Sequence, residues 1–289
     1  MTVERIVGGV RLSSPDKILY PEQGITKSAL AEYYLAVADW MLPHVAGRPV
    51  TMVRCPTGRG TKCFYQRHAG SGVLPQLREV TVPGFDEPYL YIEDAAGLVA
   101  MVQMGTLEIH PWGVTVARPD MPDRIVFDLD PDEGLGFASV VSAAIELRER
   151  LAAIGLTGFV KTTGGKGLHV VVPIAPLTPW PKAKAFAKLF SEAMAADAPG
   201  RYLTKISKAE RVGRIFIDYL RNDPTSTAVG PYSTRSRAGA PVATPLEWEE
   251  LGPDLDPCNF TLSTVPARLQ GLKRDPWAEI GLVEQRLPD

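Results

Sequence analysis

Asp128 and Asp130 stand two residues apart at the end of the apolar run "RIVFDLD". In a strand that spacing turns both carboxylates to one face. Two carboxylates aimed together repel unless a cation sits between them. Oxygen ligands of this kind suit Mg²⁺ or Mn²⁺, and such ions can clamp a phosphate chain. An Asp-x-Asp pair at a strand end also occurs as an exposed turn, so the spacing alone leaves both readings open.

A second group lies in "KTTGGKGLHV", which contains Thr163, Gly164, Gly165, Lys166, Gly167 and His169. Glycines let backbone N–H groups approach a polyphosphate, while Lys166 adds a point charge and His169 a directional donor. The segment is not a P-loop. Lys166 is followed by Gly167 instead of Ser or Thr, and the chain enters a strand where a P-loop opens a helix. A plain glycine hairpin turn would look the same. The third group is Asp218, an acid among Ile215, Phe216, Ile217 and Leu220. An acid in an apolar strand needs a compensating partner, and either a metal ion or an ion pair with Arg214 or Arg221 would serve.

These groups need elements to hold them. The segment from Lys27 to Val45 places Leu30, Tyr33, Tyr34, Val37 and Met41 at helical spacing, and Asp94 is a candidate N-cap for a helix carrying Leu98, Met101 and Val102. "TLEIHPWGVTV" has the pattern of a strand. A long helix with Phe137, Val140, Val141, Ala144, Leu147, Leu151 and Ile154 on one stripe ends near Gly155. "GFVKTTGGKGLHVVVPI" then has the pattern of strand, glycine turn, strand. A helix from about Trp180 to Ala196, a strand over "GRIFIDYL" and a Pro/Gly-rich, poorly periodic end complete the chain. Segregated helices and antiparallel hairpins predict an α+β fold with mixed or antiparallel sheets. No confident boundary divides residues 1–289, so one catalytic domain, with room for two intimately packed subdomains, is expected.

The 289 residues carry 31 basic and 33 acidic side chains, so any surface for a polyanion must be local. From Arg201 to Arg237 eight basic residues face three acidic ones. A solvated face accounts for that segment as well as a nucleic-acid surface does. No apolar stretch is long enough for a membrane span, and the first residues lack the core of a signal peptide, so a cytoplasmic protein is expected. Cys55, Cys63 and Cys258 are an odd number without a CxxC pair, which predicts reduced thiols and no cysteine zinc site.

The motifs "VFDLDP", "TGGKGLHV" and "FIDYLRN", with "LEIHPWG" before them and "PYSTRSR" after, together resemble the polymerase domain of bacterial end-joining DNA ligase D. That domain is a member of the archaeo-eukaryotic primase superfamily. The resemblance runs from "SSPDKILYP" to "VATPLEW". It implies a primase-like catalytic core and template-directed nucleotidyl transfer onto a DNA primer 3′ end, with ribonucleotides accepted. It further implies that Asp128, Asp130 and Asp218 bind two Mn²⁺ or Mg²⁺ ions and that Thr163, Lys166, His169 and Arg235 hold the incoming NTP or dNTP, with Arg221 nearby. Lys17 and Lys27 match the family's 5′-phosphate-binding lysines, and Phe64 and His110 match positions near template and nucleotide. The implied partners are DNA gaps, overhangs or ends with a 5′-phosphate, together with Ku and a DNA ligase, and the implied location is the nucleoid.

Two departures stand out. Thr163 replaces the serine of many relatives and keeps the hydroxyl. "NDPTSTAVG" carries Asp223 and Pro224 where glycine or basic character is expected, a charge that would weaken contact with a second DNA end. A ligase's nucleotidyl lysine motif and a nuclease module are absent, which predicts a stand-alone polymerase or an excised domain. Competing classes fit less well. "VFDLDPDEG" resembles the nucleophile motif of haloacid-dehalogenase-like phosphatases, but Asp132 occupies the place of Thr or Val. A non-catalytic DNA-end-binding module would not need three aspartates. Within the polymerase class, a primase or gap-filling enzyme outside end joining is the alternative.

Overall fold

The computed structural model describes residues 4–70 and 72–288, and the chain divides into two compact units. The first comprises the chain up to Trp112 together with Val229–Thr244 and Cys258–Asp275. It opens with two hairpins, β1 (Glu4–Val7) with β2 (Val10–Ser13) and β3 (Ile18–Tyr20) with β4 (Ile25–Thr26). Helices α1 (Lys27–Ala36) and α2 (Ala38–Val45) follow and bury Leu30, Tyr33, Tyr34, Val37 and Met41, the stripe predicted from spacing. The Thr26 hydroxyl caps α1 by accepting from the Ala29 N–H at 3.1 Å.

Strand β5 (Val50–Arg54) is central in a three-stranded antiparallel sheet, with β6 (Phe64–Gln66) on one side. Strands β7 (Arg78–Val80) and β8 (Tyr89–Tyr91) pair separately. Helix α3 (Ala95–Gln103) is capped by Asp94, whose carboxylate accepts from the Gly97 N–H at 2.9 Å as expected. Strand β9 (Thr106–Pro111) completes the sheet on the other edge of β5. It stops short of the predicted "WGVTV": the Trp112 N–H still donates to the Pro49 carbonyl at 2.8 Å, but Pro49 has no N–H to return the bond and extend the ladder. Residues 230–234 run back along β9: the Gly230 N–H donates to the Ile109 carbonyl at 2.9 Å, and the Ile109 N–H to the Ser233 hydroxyl at 2.9 Å.

The cysteines differ from expectation. Cys55 and Cys63 form a disulfide with Cα atoms 4.4 Å apart, and Cys258 is not disulfide-bonded. The β5–β6 register pairs Val53 with Tyr65 and Arg54 with Phe64, so the next opposed pair is Cys55 and Cys63. Spacing along the chain conceals what the hairpin register brings together.

The second unit comprises Gly113–Ala228, Pro245–Pro257 and the chain from Pro276 onward. It contains β10 (Arg124–Pro131), α4 (Phe137–Ala153), β11 (Phe159–Thr162), β12 (Leu168–Pro173), α5 (Trp180–Asp197), β13 (Tyr202–Leu203), β14 (Ile215–Asp218) and β15 (Pro245–Leu246). Its sheet has the order β13-β14-β10-β12-β11-β15, antiparallel throughout except for the β13–β14 pair. Helix α4 packs on β10 and β12 and buries Val140, Val141, Ala144, Leu147 and Leu151 of its predicted stripe, whereas Ile154 lies past the helix end and is exposed; α5 packs on β10 and β13. Trp277 closes the far side, donating from its indole N–H to the Val160 carbonyl at 2.9 Å. Helix α6 (Val265–Gly271), in the first unit, is the last regular element among the described residues. The architecture is α+β with mixed sheets, as the pattern predicts. Among the described residues no helix is long and apolar enough to cross a membrane.

Candidate active site

Strand β10 is apolar on one face, with Ile125, Phe127 and Leu129 fully buried, and this anchors it in mid-sheet. The alternate face carries Asp128 and Asp130. The registers place His169 of β12 and Asp218 of β14 directly opposite Asp128, and Lys161 of β11 opposite His169. Opposed residues share a face, so one row across four strands reads Lys161, His169, Asp128, Asp218. Asp130 sits two residues along, opposite Phe216.

A histidine contact and arginine ion pairs knit this row. His169 Nε2 lies 3.4 Å from Asp128 Oδ1, Arg221 reaches Asp218 at 3.0 Å and Asp128 at 3.5 Å, and Arg211 reaches Asp130 at 2.7 Å. The partner of Asp218 is therefore Arg221; Arg214 instead bonds backbone carbonyls, those of Pro199 and Glu210. Burial pushes the Asp128 carboxyl up, but His169, Arg221 and Lys161 hold it well below the usual carboxylate range. Asp130 is raised by burial and by the charge of Asp128. Asp218 is raised by burial and by Asp128, against the pull of Arg221. Burial and Lys161 push the His169 imidazole down to about 4, so the ring is neutral at pH 7. Its Nδ1 is buried and has no hydrogen-bond partner.

Among the described residues no group of three or more His, Cys, Asp or Glu is arranged to hold a metal ion; the arginines take the carboxylate oxygens instead. The donor set nonetheless fits a hard divalent cation. Three carboxylates from two adjacent strands converge there, and the charge of Asp128 raises the proton affinity of both Asp130 and Asp218, a repulsion that a cation would relieve.

The glycine segment is the β11–β12 turn. Both the Thr163 N–H and its hydroxyl donate to the Gly167 carbonyl, at 3.2 and 3.1 Å. Gly164 takes a φ of +65°, which favours glycine. Gly167 lies so close to β10 that an added Cβ would meet the Leu129 carbonyl oxygen at 2.5 Å. Lys166 is exposed at the tip. Asp223 pairs with Lys184 of α5, which offsets the charge that the sequence set against a second DNA end.

The remaining predicted residues lie in the first unit. Lys17 and Lys27 flank the β3–β4 hairpin, with the Lys27 N–H donating to the Lys17 carbonyl at 2.8 Å. Lys27 is the first residue of α1. Its ammonium donates to the Ser13 carbonyl at 2.7 Å, and burial followed by the charge of Lys17 lowers its pKa. Phe64 is 41% exposed on β6, beneath the Arg54 guanidinium at 5.5 Å, so it is not a core residue. Its neighbour Tyr65 is 69% exposed and meets the His110 ring edge-on at 6.4 Å. His110 Nε2 lies 2.8 Å from Glu108, and Arg235 Nε donates to the same carboxylate at 2.8 Å.

Residues 26–277 match the family model "LigD, primase-polymerase domain". The chain belongs to that family. It is 38% identical over 283 residues to the multifunctional non-homologous end joining protein LigD of Pseudomonas aeruginosa, covering 96% of this chain and 34% of that protein. Identity to the bifunctional non-homologous end joining protein LigD of Bacillus subtilis is 30% over 263 residues, covering 90% of this chain and 42% of that protein. Among solved structures, the polymerase domain of Mycobacterium tuberculosis ligase D in complex with DNA matches with a TM-score of 0.87 at 33% identity, covering 94% of this chain and 98% of that one. The primase-polymerase domain thus spans about a third of the P. aeruginosa relative's length. It has the archaeo-eukaryotic primase fold, and its class is nucleotidyltransferase.

Within this primase-polymerase domain the second unit gathers Asp128, Asp130, Asp218, His169 and Arg221 at one end of a sheet, with Thr163 and Lys166 in the adjoining turn. Lys17, Lys27, Phe64, His110 and Arg235 belong to the first unit. Three side chains escaped the sequence argument. Arg211 was one charge among eight, and nothing in its neighbours marks it as the partner of Asp130. Lys161 sits in an apolar strand as a wholly buried cation. Glu108 was findable, because it is an acid in the buried strand "TLEIHP", the same signal that exposed Asp218.

Proposed function

We propose that this domain extends the 3′ end of a DNA primer by template-directed nucleotidyl transfer, filling short gaps or extending broken ends during end joining, and that it accepts ribonucleotides. The observation that carries this reading is the cross-strand row of His169, Asp128 and Asp218 with Asp130 beside it. Asp128, Asp130 and Asp218 would hold two divalent ions, Mn²⁺ or Mg²⁺. Such ions, when bound, supply Lewis-acid activation of the primer 3′-hydroxyl and charge stabilisation of the leaving pyrophosphate.

The chain's own residues bind and orient. Thr163 and Lys166 present a hydroxyl and an ammonium at the glycine turn. His169 keeps Nε2 toward Asp128, and its buried Nδ1 has no hydrogen-bond partner, so that nitrogen would be the one offered to the nucleotide. On this reading the ring would supply a directional hydrogen-bonding group beside the triphosphate. Arg221 stays beside the carboxylates, and Arg235, by the family resemblance, would contact the nucleotide. In the first unit Lys17 and Lys27 would grip a terminal 5′-phosphate. Two ammonium groups drawn together at a helix N-terminus repel, and an anion relieves that repulsion. Phe64 offers an exposed ring for base stacking, and Tyr65, the next residue, lies against His110. The natural partners on this reading are Ku and a DNA ligase, at the nucleoid in the cytoplasm.

The deciding assay is labelled-nucleotide addition on DNA with a one- or two-nucleotide gap, carrying either a 5′-phosphate or a 5′-hydroxyl downstream. Extension that a chelator abolishes is expected, with about tenfold tighter binding to the phosphorylated gap, roughly 1.4 kcal/mol. The double substitution Lys17→Ala/Lys27→Ala should erase the preference. No metal-dependent extension on any substrate would overturn the polymerase reading. Equal affinity for both gaps would remove the 5′-phosphate anchor and place the enzyme outside end joining.

A further inference from the structure

Glu108 is 4% exposed, in a strand buried along its whole length. Both of its carboxylate oxygens are used. Oε2 accepts from Arg235 Nε at 2.8 Å and lies 2.8 Å from His110 Nε2. Oε1 accepts from the backbone N–H of Ser236 at 2.8 Å and from its hydroxyl at 2.6 Å. Burial would push this carboxyl up, but the His110 hydrogen bond, the Arg235 charge and Ser236 pull it far below the usual carboxylate range, so it is ionised. An ionised carboxylate only accepts, which assigns the proton of His110 to Nε2 and turns Nδ1 away from Glu108.

Burying a charge to fasten two strands is a poor stabilising device, since an apolar residue of the same volume serves as well or better. What a carboxylate does that an apolar side chain cannot is fix the directions of two other polar side chains at once. His110 and Arg235 are 125 residues apart in sequence, and each has one ring or guanidinium edge tied to the same oxygen, Oε2. Arg235 also lies in the segment whose Ser233 and Thr234 side chains are bonded along β9, so the backbone on both sides of the cluster is held.

We propose that Glu108 is a positioning residue for the polymerase reaction: it sets the tautomer of His110 and the orientation of the Arg235 guanidinium, and through them the fit of the incoming nucleotide. This rests on the reading above, in which His110 and Arg235 face nucleotide and template. The role differs from that of the three aspartates, because Glu108 touches no reacting atom and belongs to the other unit.

The test is single-nucleotide addition on a gapped duplex by Glu108→Gln, Glu108→Asp, His110→Ala, Arg235→Ala and the double variant Glu108→Gln/Arg235→Ala. Glutamine keeps the shape but presents one NH₂ where an acceptor is needed. We expect the nucleotide KM of Glu108→Gln to rise tenfold to a hundredfold, equivalent to about 1.4–2.8 kcal/mol, with kcat within about threefold of wild type. Glu108→Asp, which restores the charge, should recover part of the loss. The double variant should be little worse than Arg235→Ala alone, because both changes remove one unit. Nitrogen-detected NMR of His110 should show the Nε2–H tautomer in wild type and a changed ratio in Glu108→Gln, a signal that a merely structural role leaves alone.

A folded Glu108→Gln with wild-type KM and an unchanged His110 tautomer overturns the proposal while leaving the polymerase reading intact. Wild-type kinetics in both His110→Ala and Arg235→Ala overturn the assignment of those two residues, and the proposal with it. If Glu108→Gln does not fold, Glu108→Asp carries the test: a KM raised above wild type with a shifted His110 tautomer supports positioning, and neither change refutes it.

Discussion

Gly167 is packed too closely to accept even a methyl group. An added methyl group would lie 2.5 Å from the Leu129 carbonyl oxygen, roughly 0.9 Å inside the 3.4 Å at which ordinary contact begins. The obstacle is backbone, and it lies between the two aspartates of β10. Leu129 is held from the other side by its pairing with Ile217 of β14, so the β11–β12 turn must give way. Gly167 accepts both Thr163 donors, and the turn would shift as a body with Thr163 and Lys166 aboard. Overpacking of this kind costs about 1–3 kcal/mol. For a chain of this length that lowers Tm by roughly 2–12 °C. Displacing the turn by most of an ångström should also cut kcat/KM for the nucleotide about 10- to 100-fold. The assay is a thermal melt and single-nucleotide kinetics on Gly167→Ala, with Gly200→Ala as control, since a Cβ there meets nothing within 4 Å. An alanine variant at 167 that melts within about a degree of wild type with unchanged kinetics would refute the reasoning.

Asp130→Ala should abolish nucleotide addition while DNA binding survives, because the proposed DNA contacts are basic and aromatic side chains elsewhere. Its ion pair with Arg211 is half exposed on the aspartate side, so stability should fall by less than about 1 kcal/mol. Measurable extension at saturating Mn²⁺ would sink the carboxylate assignment. Lys166→Ala and His169→Ala should raise the nucleotide KM more than they weaken DNA binding, each by the worth of a charge-assisted hydrogen bond, roughly 1.5–3 kcal/mol. Titrations with gapped DNA and with nucleotide separate the two, and a loss confined to DNA affinity would make the turn a backbone-binding loop.

Much of this molecule was legible in residue type and period. Side-chain alternation put Asp128 and Asp130 on one face, the glycine pattern announced a hairpin, and Asp94, Gly155 and the apolar stripes marked the helices within a residue or two. These are local properties, decided by neighbours along the chain, and so they survive without knowledge of the fold. Partnerships across strands were not legible. A period of two tells which face a side chain takes but not which strand lies opposite. The pairing of Asp128 with His169 and Asp218, the choice of Arg221 over Arg214, and the joining of Cys55 to Cys63 all follow from strand register. Register is set by the burial of whole faces and by turn geometry, and neither can be counted from spacing. Glu108 lies between the two cases. Its type in an apolar strand signalled a compensated charge, but the tertiary structure alone supplied the partners, because Arg235 and Ser236 return to β9 from more than a hundred residues away.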